Sequence, residues 1–204
     1  LDKPTGGQVI LNGKNIVDIR EKEISAFRRE NLGFVFQDFN LLDNFSLKDN
    51  IVLPLVLSGV DYKEMERRIT PIAAQLGILD ILGKYPYEVS GGQKQRLSIA
   101  RALVKKPEIL IFDDSFSALD YKTDAALRAG LSRELQGTTC MIVAQRIGTI
   151  RNADKIIVLE NGEIAGMGTH EELLRECSVY REIAESQLSP EEIEQQLAAG
   201  KGDK

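Results

Sequence analysis

The run Ser90-Gly91-Gly92-Gln93 stands directly before an apolar-striped segment and has the composition of an anion site. Ser90 followed three residues later by Gln93 is a capping-box pattern, so it predicts the start of a helix. Glycines leave the N–H groups of a first helical turn uncovered, and these groups carry the positive end of the helix dipole. The pattern therefore fits a phosphate site. On spacing alone, it fits equally well a capped helix whose glycines only allow close packing.

A second segment carries carboxylates at the end of an apolar run. Ile109-Leu110-Ile111-Phe112 is typical of a buried parallel strand, and Asp113 and Asp114 follow it. The carboxyl edge of such a sheet is where Mg-nucleotide chemistry is placed. The two segments together therefore favour nucleotide phosphate as the ligand.

The elements that must position these residues alternate between strand and helix patterns, which predicts an α/β fold with a parallel sheet. The segment from Ser46 to Ser90 predicts a mostly helical insert, in which Pro54 should kink or end the first helix. Residues 51–57 are nearly all apolar and fit either the core of that insert or an exposed docking face. The other predicted elements are short antiparallel strands at Gln8–Leu11 and Asn15–Val17, a helix at Glu21–Glu30, a strand at Leu32–Phe36, a helix at Lys122–Gln136, a buried strand at Thr138–Ala144 and a terminal hairpin from Lys155 to Met167.

These patterns divide the chain into four predicted parts. Residues 1–45 are the first part of the core, 46–90 the helical subdomain, 91–188 the remainder of the core and 189–204 a helical or disordered tail. Thr169 and Glu172 predict another capped helix start. The single histidine, His170, lies in that cap, where a surface role is expected rather than catalysis.

Composition excludes several classes of protein. The chain has 204 residues, 43% hydrophobic content and a net charge of −5, which argues against a nucleic-acid partner. Cys140 and Cys177 match no metal or redox spacing and are interpreted as structural thiols, Cys140 within a buried strand. The sequence shows no signal peptide and no apolar run of the ~20 residues that a membrane span requires.

The segments Ser90–Gln93 and Ile109–Asp113 resemble the signature motif and the Walker B strand of the ATP-binding cassette (ABC) family, and the resemblance runs from about Leu1 to Leu188. It implies a P-loop NTPase-like parallel sheet core flanked by helices, with an antiparallel N-terminal β piece and a helical subdomain. Gln37, Asp120 and Gln145 stand at the family's Q-loop, D-loop and switch positions.

The resemblance also implies ligands and partners. ATP and Mg²⁺ would be the cofactors, with Gln37 and Asp113 as metal ligands and Asp114 and Gln145 in the catalytic positions. Nucleotide contacts would come from the signature segment (Ser90-Gly91-Gly92-Gln93), Gln37, Asp113 and Asp120. The implied partners are a transmembrane domain and a second ATP-binding domain paired head to tail, on the cytoplasmic face of a membrane.

The sequence departs from the family pattern at three positions that bear on nucleotide binding and hydrolysis. The family places a phosphate-cradling P-loop upstream of Gln37, but here it would precede Leu1; Gly7, Gly13 and Lys14 lack the required spacing. Asp114 stands where a catalytic glutamate is expected and is one methylene shorter. Gln145 replaces a histidine, and an amide cannot carry a positive charge.

We interpret these departures as the degenerate half of a heterodimeric exporter, whose intact signature segment completes the ATP site of its partner. Two alternatives stay open: a competent ATPase half whose P-loop lies outside this sequence, and a structural fragment without a nucleotide role. Residues up to about Val89 resemble ATPases of lipoprotein release and peptide export, whereas those from Ser90 onward resemble multidrug-type exporters. The chain is therefore either a hybrid or a fragment.

Overall fold

A computed structural model of the chain describes residues 4–11, 13–115, 135 and 137–199. The chain forms two compact units. The first comprises Leu1–Asp113 with Ala118–Met141, and the second comprises Asp114–Ser117 with Ile142–Lys204. The predicted helix Lys122–Gln136 falls almost wholly outside the described residues. Every helix among the described residues is too short or too polar to span a bilayer.

The first unit begins with the expected antiparallel piece. Strands β1 (Ile10–Leu11) and β2 (Lys14–Asn15) pair with each other, and Gly13 adopts a φ of 71° in the turn between them. The predicted second strand was wrong at its end, because residues Ile16–Asp18 form a 3-10 turn. The Asn15 side chain accepts a hydrogen bond from the N–H of Val17 (3.3 Å), which favours the turn over an extended strand.

A three-stranded sheet carries the carboxylate segment. Helix α1 (Glu21–Asn31) leads directly into β3 (Leu32–Val35), which pairs in parallel with β4 (Ile109–Asp113). Strand β5 (Thr139–Val143) lies on the other side of β4. The α/β class predicted from the sequence is therefore confirmed, and β4 occupies the centre of this sheet.

Helix α4 (Gly91–Leu103) is the element on which the first unit is assembled. It packs against β3 and against both long helices of the insert, α2 (Leu47–Val56) and α3 (Tyr62–Gln75). Its buried stripe holds Leu97, Ile99 and Ala100, which are all fully inaccessible to solvent. Because one helix carries the insert on one side and the sheet on another, the position of its first turn is fixed by both.

The insert is part core and part exposed surface. Ile51 and Leu55 are buried, whereas Val56 and Leu57 are 52% and 61% exposed. Residues 51–57 therefore contribute to the core of the insert and also leave an exposed apolar surface. Helix α2 ends at Val56, two residues after Pro54, as the proline predicts. Short 3-10 turns at Leu79–Ile81 and Pro86–Glu88 complete the insert.

Strand β5 differs from its prediction. Its sequence is apolar, but Met141 and Val143 are 56% and 51% exposed, and Cys140 is also exposed. The strand lies at one edge of the described sheet, so neighbouring elements cover it only partly. The prediction that this strand and Cys140 are buried was wrong.

The described residues of the second unit form a hairpin and four helices. Strands β6 (Ile156–Glu160) and β7 (Glu163–Gly168) pair antiparallel as predicted, and Asn161 and Gly162 both adopt positive φ, which is the geometry of a type I′ turn. The helices of this unit are α5 (Ile147–Ile150), α6 (His170–Glu176), α7 (Ser178–Glu185) and α8 (Pro190–Ala199). A core of buried residues joins them to the hairpin: Ile147, Ile156, Val158, Leu173, Leu174, Cys177, Tyr180 and Ala184.

His170 is buried, contrary to the expected surface role, with only 3% of its surface exposed. Its Nδ1 lies 2.8 Å from the hydroxyl oxygen of Tyr180, and its Nε2 lies 2.7 Å from Oε1 of Gln196 in α8. Arg175 also donates to the carbonyl of Leu197 (3.2 Å). Helix α8 is thus connected to the second unit by a part-buried hydrogen bond and an exposed one, and most of its described residues are exposed to solvent.

Replacing Gly33 of β3 with alanine should destabilise the first unit. A Cβ at this position would lie 2.7 Å from Cδ1 of Leu110 and 2.8 Å from Cγ of Pro107, so the sheet would have to move away from its neighbours. We expect Gly33→Ala to lower the free energy of unfolding by about 2 kcal/mol. Urea denaturation measures this. Gly83→Ala is the matched control, because its Cβ meets nothing within 4 Å; equal losses in both variants would contradict the packing.

Candidate functional site

The first turn of α4 has the geometry that its sequence predicted. The Gln93 side chain accepts a hydrogen bond from the N–H of Ser90 (2.9 Å), and the Ser90 hydroxyl accepts one from the N–H of Gln93 (3.4 Å). Both halves of the capping box are therefore present. The turn that carries the signature segment is held in place by its own side chains.

Close packing does not account for Gly91. A Cβ at this position would meet nothing within 4 Å, and both Ser90 and Gly91 are exposed. Among the described residues, no acceptor pairs with the N–H groups of Gly91 and Gly92. The open space and the uncovered N–H groups fit an incoming anion, so the phosphate interpretation is the better supported of the two at this residue.

The charge around this turn also favours an anion. The capped helices α2, α3, α6 and α8 each carry an acidic residue in the first turn, whereas α4 carries none. Lys94 and Arg96 follow within the next residues. Arg96 donates to the carbonyl oxygens of Gly92 (3.3 Å) and of Leu76 (3.2 Å), which ties the turn to the end of α3. The positive end of the helix dipole is left without a competing carboxylate from its own turn.

Gln37 and Asp113 follow two neighbouring strands at the same edge of the sheet. Val35 of β3 pairs with Phe112 of β4, so Asp113 and Gln37 follow the last paired residues of two parallel neighbours. Asp113 is half-buried at the end of its strand, and Gln37 is exposed in a turn. The two residues thus occupy the carboxyl edge predicted for metal and phosphate ligands.

Asp114 and Gln145 belong to the second unit. Asp114 has a φ of 42°, a left-handed conformation that aspartate adopts more readily than most residues, and its N–H donates to the carbonyl of Val143 at the end of β5 (3.0 Å). Gln145 is exposed two residues later, and its carbonyl accepts a hydrogen bond from Nε2 of Gln187 (2.8 Å). Asp120 lies outside the described residues.

Gln187 was not singled out by the sequence analysis. Its Oε1 accepts from the N–H of Ile147 (2.9 Å) while its Nε2 donates to Gln145, so one amide holds the backbone on both sides of Arg146. Nothing in its local sequence signals this role, because the contact spans more than forty residues of chain. Gln187 therefore holds the backbone of Gln145, the residue at the family's switch position in the sequence.

A second group that sequence reasoning missed holds the Gln37 loop (residues 36–46). Arg101 of α4 donates to the carbonyls of Phe39 (2.6 Å) and Asn40 (2.5 Å), and burial lowers the pKa of this guanidinium. Asn50 of α2 is fully buried and bonds to the backbone of Leu42 and Phe45. A sequence signal did exist in both cases, since each is a polar residue within an apolar stripe.

The signature segment is not brought to the same edge as Gln37. Ten residues of helix separate Gly91 from Arg101, which is about 15 Å of axial rise, and Arg101 is the residue that reaches the Gln37 loop. The first turn of α4 and the loop that carries Gln37 therefore lie near opposite ends of α4.

The residues present fit part of a Mg-nucleotide site. No cluster of three His, Cys, Asp or Glu side chains is found in the described part of the chain, but Mg²⁺ bound through phosphates needs only one or two protein carboxylates. Asp113 offers a carboxylate oxygen and Gln37 an amide oxygen. The first turn of α4 offers uncovered N–H groups. The sequence contains no glycine-rich loop with a lysine and a following Ser or Thr to cradle the β- and γ-phosphates.

Comparison with known proteins gives one family and several close relatives. Residues 1–117 match the model of the family described as ABC transporter. The chain is 40% identical over 173 residues to methionine import ATP-binding protein MetN 1 of Listeria monocytogenes, covering 83% of this chain and 51% of that protein. It is 36% identical over 167 residues to bacitracin export ATP-binding protein BceA of Halalkalibacterium halodurans, covering 80% of this chain and 66% of BceA.

The fold matches a solved cassette as well. The dimeric post-hydrolysis structure of the ATP-binding cassette MJ0796, bound to ADP and Pi, aligns with a TM-score of 0.75 and 32% identity, covering 83% of this chain and 75% of that one. The chain spans about half the length of the MetN relatives that it matches.

Ser90→Ala should weaken the first turn of α4, whereas Gly91→Ala should not. Loss of the capping hydroxyl is expected to lower the free energy of unfolding by about 1 kcal/mol. Alanine at position 91 meets open space and has the higher helix propensity, so stability should be unchanged or slightly greater. Urea denaturation of both variants checks this, and a large loss in Gly91→Ala would show that Gly91 serves packing.

Proposed function

This chain belongs to the ABC transporter family of ATP-binding domains, and on that premise we propose that it couples Mg-ATP binding and hydrolysis to transport through a membrane-spanning partner. The observation that carries the proposal is the open first turn of α4. Its capping box, its uncovered glycine N–H groups and its lack of acidic residues suit a nucleotide phosphate. In this proposal the chain lies on the cytoplasmic face of the membrane.

The signature segment acts on a nucleotide held by a second ATP-binding domain. The separation of about 15 Å along α4 supports this, because one nucleotide bound at the Gln37 edge would not also contact Gly91 of the same chain. Head-to-tail pairing of two domains would place the signature segment of one chain opposite the Gln37 edge of the other, and the cassette MJ0796 was solved as a dimer. When bound, Mg-ATP supplies the phosphoryl group, and the residues of this chain orient it and stabilise its charge.

The roles of the other site residues follow from the family motif positions that they occupy in the sequence. Gln37 and Asp113 hold the metal at the carboxyl edge of β3 and β4, and Asp120 contributes from the D-loop. Asp114 takes the position of the general base, and Gln145 takes the position that contacts the γ-phosphate. Both residues are weak versions of the family's groups, since one is shorter and the other cannot be charged. We therefore propose that this chain's own site turns over slowly and that its partner differs from it.

The membrane-spanning partner docks on the insert. A cavity of about 270 Å³ lies between the Gln37 loop, β3, α2 and α4, and its apolar lining includes Phe34, Phe36, Leu53 and Leu57. Leu57 and Phe36 are exposed, so an apolar helix from the partner would cover surface that is otherwise in water. Export stays a prediction, because the relatives include both a methionine import protein and a bacitracin export protein.

Replacing Gly91 with aspartate tests the role in trans. The side chain has space, and an acidic residue in a first turn favours the helix dipole, so the fold should be retained. Its charge should repel the phosphate and lower the ATPase rate of the partner's site by about 100-fold or more. The rate is measured in the natural full-length assembly. Gly91→Ala is the control, because its backbone should adopt the same conformation as that of Gly91→Asp. An unchanged rate in Gly91→Asp would favour a structural role for the chain.

Restoring the family's residues tests the degenerate site. We expect Asp114→Glu combined with Gln145→His to raise turnover at this chain's own site by at least about 10-fold, because a longer base and a protonatable group are regained. Single-turnover hydrolysis, with the partner's site inactivated, measures it. Asp154→Glu, an exposed position in the same unit, is the control. No increase over this control would favour the alternative that the site is already competent.

A further inference from the structure

The Gln37 loop contains two consecutive residues in the left-handed region. Phe39 has a φ of 62° and Asn40 a φ of 46°, and neither is glycine. For a bulky aromatic residue this conformation is a marked outlier. Such backbone strain persists only where surrounding contacts determine it, and it concentrates at functional segments.

One side chain holds both strained residues. The guanidinium of Arg101 donates from Nη2 to the carbonyl of Phe39 (2.6 Å) and from Nη1 to the carbonyl of Asn40 (2.5 Å). Its planar fork suits two acceptors that are presented side by side. None of the ion pairs found among the described residues includes Arg101, and its two side-chain hydrogen bonds both go to this loop.

The rest of the loop is held by a different helix. Oδ1 of Asn50 in α2 accepts from the N–H of Leu42 (2.8 Å), and its Nδ2 donates to the carbonyls of Leu42 (3.0 Å) and Phe45 (3.2 Å). Asn50 thus fixes the second half of the loop and Arg101 the first half. Gln37 lies only two residues before Phe39, so its position depends on the half that α4 controls.

We infer that Arg101 is a positioning residue that links the two nucleotide sites, because it transmits movement of the signature segment along α4 to Gln37. The inference rests on the proposed function. Helix α4 begins at the signature segment and carries Arg101 near its other end, so a shift of its first turn on phosphate binding would move the whole helix. The two carbonyls held by Arg101 would follow, and Gln37 would change its distance from Asp113. A packed helix with a directional hydrogen-bonded contact at its end is a physical route for such coupling.

Hydrogen exchange of the backbone in residues 37–45 tests this directly. The natural full-length assembly is compared with Arg101→Met, without nucleotide and with Mg²⁺ and a non-hydrolysable ATP analogue. Arg101→Lys is the second variant, since it keeps the charge and the stem but loses the fork. Lys105→Met is the matched control, because Lys105 also lies in the α4 region and donates to a carbonyl, that of Leu32 (2.6 Å), outside the loop.

The expected result has two parts. Without nucleotide, Arg101→Met should raise exchange in residues 37–45 by at least about 10-fold, Arg101→Lys by less, and Lys105→Met by no more than about twofold. With the analogue, the original protein should gain protection at both residues 90–96 and residues 37–45. Arg101→Met should keep the gain at residues 90–96 and lose the gain at residues 37–45, which a purely structural role for Arg101 would not produce.

Different results would contradict the linking role of Arg101 and the proposed function. If exchange in the loop is unaltered in Arg101→Met, or if the loop still gains protection there with the analogue, the linking role is wrong while the proposed function stands. If the original protein gains no protection at residues 90–96, the proposed function fails, and the inference fails with it.

Discussion

Helix α4 must be buried along most of its length and open at its first turn, and the first unit is arranged to satisfy both demands. Its apolar stripe packs against α2, α3 and β3, which places the insert and the sheet on one support. The capping box of Ser90 and Gln93 stabilises its N-terminus, so no neighbouring element needs to cover that turn. The N–H groups of Gly91 and Gly92 therefore have no acceptor among the described residues, and the proposed phosphate site uses this feature of the helix start.

The same helix sets the distances of the proposed site. Because α4 is a rod with a rise of about 1.5 Å per residue, the turn that suits phosphate and the arginine that holds the Gln37 loop lie well apart. In the proposed function, a single chain supplies two unlike half-sites, one at the signature segment and one at the carboxyl edge of β3 and β4. Head-to-tail pairing would bring each half-site to its complement, and this follows from the geometry as well as from the family.

Sequence patterns correctly predicted the elements that are stabilised by residues close to one another in the sequence. The capping box at Ser90, the strand ending in Asp113 and the hairpin turn at Asn161-Gly162 depend on neighbouring residues, and all three are present. Burial depends on distant residues. His170 is buried because Tyr180 and Gln196 satisfy its two ring nitrogens, and β5 is exposed because it lies at a sheet edge. Arg101 and Asn50 were visible only as polar residues within apolar stripes, and that signal does not identify the loop carbonyls to which they donate.

The claim that the signature segment serves a partner's nucleotide is tested most directly by photolabelling with an ATP analogue that carries its reactive group on the γ-phosphate. In the natural full-length assembly, peptide mapping should find the label on residues 90–93 of this chain. The label should disappear when the P-loop lysine of the partner domain is replaced, because the nucleotide is then no longer held opposite Gly91. Label that persists after this replacement, or that never reaches residues 90–93, would contradict the account.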